Sequence, residues 1–192
     1  MQADTIKPSI SSRAQERLDL NIFVLDREIE RCAQYHHDRH VVKMVLESAQ
    51  MMCTVLNQHG LRAPYRSTHP HHPCTLWAGE SLSNWRWLRQ LALQLNQEYR
   101  FRFERERDHR SAIVVSELPE PPIPDLGLTE FAQAMPDPYK VPGDAVAAYR
   151  RFYLAEKAAA ARWTRRPVPE WFADGLSPAI GSDGDRDSRR LE

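Results

Sequence analysis

The sequence predicts a mainly α-helical, compact single-domain protein with three long helices and at most one or two short strands. Three observations carry this expectation. Apolar residues recur at helical spacing over long windows, as in Trp85, Leu88, Leu91, Leu95 and Tyr99. Prolines gather between those windows, in Arg62–Pro73 and Pro119–Pro124. A single short apolar run, Asn21–Leu25, has the character of a buried strand or extended segment. At 192 residues the chain is long enough to bury a substantial core in one domain.

In chain order, residues 1–19 are polar without apolar periodicity and read as a disordered leader. A domain over 20–173 follows. The first long helix is expected from Arg27 to Gln58, closed by His59-Gly60, with a possible break near His37 that would make Asp38 an N-cap. Arg62–Pro73 reads as a loop. The second long helix is expected over Leu82–Arg107, with the Arg and Glu residues of its later turns exposed. Ser111–Leu118 fits either a helical turn or a strand, and Thr129–Met135 one or two helical turns. The third long helix is expected over Asp144–Trp163, with Arg166–Phe172 extended behind it. Residues 174–192 are rich in Ser, Gly, Asp and Arg and read as a disordered tail.

Lys+Arg and Asp+Glu both total 26, so no global charge draws the chain to nucleic acid or membrane. Charge is uneven locally. Arg150, Arg151, Lys157, Arg162, Arg165 and Arg166 face the single acid Glu156 between positions 150 and 166, an anion-facing pattern. Cys32, Cys53 and Cys74 are odd in number and widely spaced, which favours a reducing compartment over a disulfide scaffold. No apolar run approaches the roughly 20 residues of a membrane span. A cytoplasmic monomer is the expectation. Phosphate-binding loops, dinucleotide turns and serine-hydrolase elbows are missing.

The stretch Tyr35–Gln50 holds the chemistry. At 100° per residue, His36, Arg39, His40, Lys43, Glu47 and Gln50 share roughly one 100° sector, opposite Val41, Val45, Ala49, Met52 and Leu56. Imidazoles beside an amine and a carboxylate suit proton transfer near neutral pH. Asp38 falls on the apolar side, as a cap or a buried carboxylate. A second cluster, Thr68–Cys74, sets His69, His71 and His72 between Pro70 and Pro73, with Trp77 beyond. His36 and His40 with His69 or His72 could chelate a metal, but the spacing matches no familiar zinc motif. Acid–base chemistry fits better: Lys43 and Glu47 lie at i,i+4, and Arg39 one turn before Lys43 would favour its neutral, nucleophilic form. No metal or other cofactor is assigned. Trp77 and Tyr139, in or beside loops, are the preferred walls of a base pocket.

Several stretches occur in a telling order: NIFVLD (Asn21–Asp26), DRHVVKMVLESAQ (Asp38–Gln50), STHPHHPCTLW (Ser67–Trp77), ESLSNWRWL (Glu80–Leu88), FAQAMPDPYK (Phe131–Lys140), AYRRFYLAEK (Ala148–Lys157) and RPVPEWF (Arg166–Phe172). Together they resemble the pyrimidine-dimer DNA glycosylase family, in its phage-borne and bacterial subgroup. The resemblance implies a helical protein that binds double-stranded DNA, extrudes a base and cuts its N-glycosidic bond. The best-understood family members use the α-amine of a threonine exposed by removal of the initiator methionine, whereas here Gln2 follows Met1. The expected roles are therefore spread over this chain's own groups. Asp38, Lys43, Glu47 and His40 are the catalytic candidates, and His36, His69, His72, Trp77, Asn84 and Tyr139 the substrate pocket. Arg39, Arg66, Arg150, Arg151, Lys157, Arg165 and Arg166 would contact phosphates. The target is a damaged pyrimidine or a hypermodified one such as glucosylated hydroxymethylcytosine. A metal-dependent hydrolase or nuclease and a non-catalytic nucleic-acid-binding accessory protein are the alternatives.

Overall fold

The computed structural model describes residues 20–177. Among these it contains seven α-helices and no strand: α1 Ile29–Tyr35, α2 Asp38–Gln58, α3 Pro73–Glu80, α4 Leu82–Phe103, α5 Arg110–Glu117, α6 Ala145–Glu156 and α7 Glu170–Leu176. Short 3₁₀ turns lie at Asp137–Tyr139 and Ala158–Ala160. The long pair α2 and α4 forms the centre, with α1, α3 and α5 packed around it and α6 against α7. Met44, Met51, Met52 and Leu56 of α2 and Trp85, Leu88 and Leu91 of α4 are essentially fully buried. Each such side chain contributes roughly 1.5–3 kcal/mol of transfer free energy.

The first helical window is two helices, broken at His36-His37. His37 is the N-cap without a side-chain cap bond, and Asp38 is the first helical residue rather than the cap. Helix α2 ends in a Schellman motif: Leu61 N–H donates to Leu56 C=O and Gly60 N–H to Asn57 C=O, with Gly60 at φ +76°. Helix α3 begins inside the segment expected to be loop. Pro73 occupies a first-turn position where its missing N–H costs nothing, and His72 Nδ1 accepts the Cys74 N–H at 3.2 Å.

Other expectations need correction. Residues 20–25 are buried but form no strand; their backbone is satisfied by side chains, with Asn21 N–H donating to Glu47 and Leu25 N–H to Cys32 Sγ. Residues 129–135 are irregular, because side chains take their polar groups: Thr129 N–H donates to Asn84, and the Tyr149 hydroxyl donates to Ala132 C=O while accepting the Ala134 N–H. The third helix is short. After Glu156 the chain leaves the α-helix, and Arg162 C=O accepts the Asp38 N–H at 2.8 Å. Ser111–Leu118 resolves as helix α5. Residues 170–176 form a helix where an extended segment was expected, so the ordered chain passes the expected boundary at 174. The leader at 1–19 and most of the expected tail lie outside the described residues.

Arg100 at the end of α4 and Glu104, Arg105, Glu106 and Arg107 beyond it are exposed as expected, but Glu98 and Arg102 are buried. Arg102 has a fully buried side chain, and it donates to Glu98 (2.9 Å), Asp38 (3.2 Å), His36 C=O (2.7 Å) and Gln34 C=O (2.7 Å). Glu98, also buried, takes a second guanidinium from Arg166 at 2.6 Å. This charged cluster ties α4 to the α1–α2 break and to the 162–166 turn.

Candidate functional site

Helix α2 is buried on nearly all sides, and this changes the meaning of its polar sector. Arg39, Val42, Lys43 and Leu46 are exposed, whereas His40 and Glu47 at the edge of that sector are covered. The cover is the buried segment 20–25. Phe23 stacks on the His40 ring at 4.2 Å between centroids, and its backbone is held at φ +41°, a left-handed conformation unusual for a bulky residue. Asn21 lies over Glu47.

Glu47 is the best-prepared carboxylate for chemistry. Lys43 Nζ stands 2.8 Å from Oε1, and Asn21 N–H donates to Oε2 at 3.0 Å. The Glu47 side chain is 8 % exposed and that of Lys43 44 %, so one ion pair links the interior to the surface. Behind Asn21 opens a cleft of about 510 Å³ lined by His69–Pro73, Gln133–Met135 and Lys140. The Asn21 amide donates to Ala134 C=O at 2.8 Å, so a single residue bridges the carboxylate and the cleft wall. His72 is buried at the cleft, and because Nδ1 accepts a backbone N–H, its neutral tautomer carries the proton on Nε2. His69 is exposed at φ +49°.

Asp38 has a different occupation. It accepts Thr164 N–H (3.0 and 3.1 Å), the Thr164 hydroxyl (2.8 Å) and Arg102, and so clamps the 162–164 turn to the start of α2. Nine residues separate it from Glu47, which puts the two carboxylates about 13 Å apart along the axis and on opposite faces. They do not form a catalytic pair.

The three histidines of the first cluster face inward. His36 donates Nδ1–H to Cys32 C=O at 2.8 Å, leaving Nε2 buried without a partner. His40 Nδ1 bonds the Tyr153 hydroxyl at 2.5 Å, and His37 packs on His40 at 3.9 Å. Burial lowers His36 to about 3 and His37 to about 4, and holds His40 well below its ordinary value. The neighbouring Lys157 also disfavours charge on His37 and His40. All three are neutral at pH 7. Completely buried, His36 does not reach a ligand in the cleft.

The remaining expected residues divide. Trp77 sits in α3, not a loop, and packs on Trp87 and Phe131 in the core. Asn84 is engaged internally, donating to Trp77 C=O and the Thr129 hydroxyl while accepting Thr129 N–H. Tyr139 donates to Glu156 at 2.5 Å and packs on Phe152, next to the cleft residue Lys140. Arg150 binds Leu25 C=O and Asp26 and lies over Tyr35 and Trp171, so it braces the fold. Arg166 is held by Glu98, and Arg165 by Glu104 at 2.7 Å. Arg39, Arg66 and Arg151 are exposed. Lys157, over the Phe152 ring, lies near His37 and His40.

Asn21, Tyr153, Gln133, Met135 and Lys140 escaped the sequence reading as site residues. For Asn21 the signal was available: a polar amide opening an otherwise apolar run. For the cleft wall at 133–135 no local pattern marks it. Among the described residues no three of His, Cys, Asp and Glu gather as a metal would require, and the set His36, His40, His69, His72 is split between interior and cleft. Compared with family models, curated proteins and solved structures, the chain matches none.

Proposed function

We propose that this protein is a DNA glycosylase that removes damaged or modified pyrimidines from double-stranded DNA and leaves abasic sites. The observation that carries the reading is the Lys43–Glu47 pair: a buried carboxylate gripped by an amine and a backbone N–H, one residue behind a histidine-lined cleft. Base excision needs this combination. A carboxylate stabilises the oxocarbenium-like sugar or activates water, and an amine can attack C1′ as the base departs. In the amine route the deprotonated Lys43 nitrogen bonds C1′ as the C1′–N bond breaks, and the base leaves with that electron pair and the proton held by Glu47; the C1′–O4′ bond then opens as an amine proton passes to O4′, and the lysine nitrogen becomes the Schiff-base nitrogen. Glu47 accepts the proton that the ammonium must lose.

The cleft volume exceeds that of one pyrimidine, so photodimers and bases with bulky polar substituents both fit it in size. His69, His72, Gln133 and Lys140 supply donors and acceptors. Arg39 and Lys157, whose charges bear with that of Lys43 on the His37–His40 pair, would contact phosphates, as would the exposed Arg66 and Arg151. The motif order that resembles the pyrimidine-dimer glycosylase family supports the same reading. We take the working unit to be a single-domain cytoplasmic monomer without a cofactor.

The test is a screen of base release from normal, ultraviolet-irradiated and glucosylated hydroxymethylcytosine-containing duplex DNA. Release from one of the altered substrates, leaving alkali-labile sites, is expected. Absence of release from all three refutes the glycosylase reading. Borohydride trapping then separates the routes: a covalent adduct lost in Lys43→Ala identifies the amine, and no adduct in the wild type assigns catalysis to Glu47 and water.

A further inference from the structure

Val42 and Leu46 are 38 % and 40 % exposed, although both stand in the middle of the most deeply buried helix of the fold. They are one turn apart, and with Arg39 and Lys43 they make up a single exposed sector about 100° wide. Leu46 immediately precedes the buried Glu47, and Val42 immediately precedes Lys43. Isolated apolar residues are common on protein surfaces. Here two adjacent ones border the catalytic candidates and are flanked by cations. Arg39 has no ion-pair partner among the described residues, and the Lys43 and Lys157 charges both bear on His40. Cations flanking an apolar ridge complement a phosphate backbone flanking stacked bases.

Resting on the glycosylase reading, we propose that Leu46 and Val42 form the wedge that enters the duplex and occupies the gap left when the target nucleotide turns into the cleft. Their separation along α2 is about 6 Å, less than two base steps of roughly 3.4 Å, so both side chains address one local opening. Apolar side chains inserted between base steps unstack and kink the duplex, while flanking Arg and Lys hold the backbone. The rigidity of α2, packed against α4 along its other faces, lets the ridge push against DNA without yielding.

The experiment uses the full chain and a duplex with 2-aminopurine beside a substrate pyrimidine, together with the same strand unpaired. Anisotropy reads binding, 2-aminopurine fluorescence reads unstacking, and chromatography reads base release. Wild-type binding is expected to raise the fluorescence severalfold. In the double variant Val42→Ser, Leu46→Ser that rise is lost, and the duplex-to-single-strand ratio of base release falls about tenfold. An unchanged fluorescence rise, or equal loss of release on both strand forms, overturns the wedge. If the wild type unstacks the duplex through Leu46 yet releases no base, the glycosylase reading falls and the wedge stands. If it binds no duplex, both fall. Circular dichroism and thermal melting of the double variant, expected to match wild type because both positions are exposed, separate a folding defect from these outcomes.

Discussion

Mild acid should destabilise this protein, and the three buried histidines of the first cluster set the size of the effect. The folded pKa values of His36 and His37 lie at about 3 and about 4, and that of His40 well below 6.5, with burial the largest cause in each. The unfolded chain takes up these protons near 6.5, while the folded chain refuses them. Between those values the unfolded state binds more protons, so stability falls as pH falls. From about pH 7 to about pH 5, His36 and His37 each contribute about 2 kcal/mol of lost stability, about 4 together, and His40 adds to the loss in the same direction. That is a large part of the roughly 5–15 kcal/mol that holds a typical domain together. Urea unfolding followed by tryptophan fluorescence at the two pH values measures it. The His37→Gln variant removes one titrating ring and should reduce the drop by about 2 kcal/mol. A wild-type stability that changes by less than about 1 kcal/mol between the two conditions refutes the argument, because it would mean that the cluster admits protons or water in the folded state.

Three further outcomes follow from the geometry. Glu47→Gln keeps the acceptor for Asn21 N–H but removes the charge, so base release should fall about 100-fold or more with little change in melting temperature, measured side by side. Arg102→Met leaves Glu98 short of one cation and the Gln34 and His36 carbonyls without their donor; a loss of about 3–5 kcal/mol is expected in denaturant titrations. Gly60→Ala places a Cβ in open space at φ +76°, so its cost is purely conformational, about 1–2 kcal/mol in the same titration.

The helical class and the position of the two longest helices were readable because periodicity survives any tertiary context. The α1–α2 break at His37 and the Gly60 stop were readable for the same reason, as both rest on local backbone chemistry. Charge misled. On α4 the stripe Trp85, Leu88, Leu91, Leu95 continues at unbroken helical spacing through Glu98 and Arg102, and the ionic character of Arg102 alone set it among the exposed residues of that end. Their mutual pairing and that with Arg166 make burial tolerable, and no local rule reports a partner 68 residues away. The polar sector of α2 misled in the opposite way, since its residues were identified correctly but half of them lie beneath Asn21 and Phe23. Lys43 and Glu47 were legible as an i,i+4 pair. That one end of the pair is interior and the other at the surface was not. Irregular stretches fared worst: 129–135 adopts its path because Asn84 and Tyr149 bind its backbone, and both come from other elements.

The buried segment at residues 20–25 has a consequence for how the molecule is made. Asn21 reaches Glu47 across 26 residues, Ala134 across 113, and Leu25 receives Arg150 across 125. The bonds to Ala134 and Arg150 must wait until the chain up to α6 has been synthesised, whereas Leu25–Cys32 and Asn21–Glu47 can form with α1 and α2 alone. The central helices can pair early, through contacts close in sequence. The irregular segment that covers Glu47 and stacks on His40 receives its distant anchors only afterwards. A nascent chain that stops short of α6 therefore lacks both distant anchors of this lid, and the segment over Glu47 and His40 is locked in place late in folding rather than early.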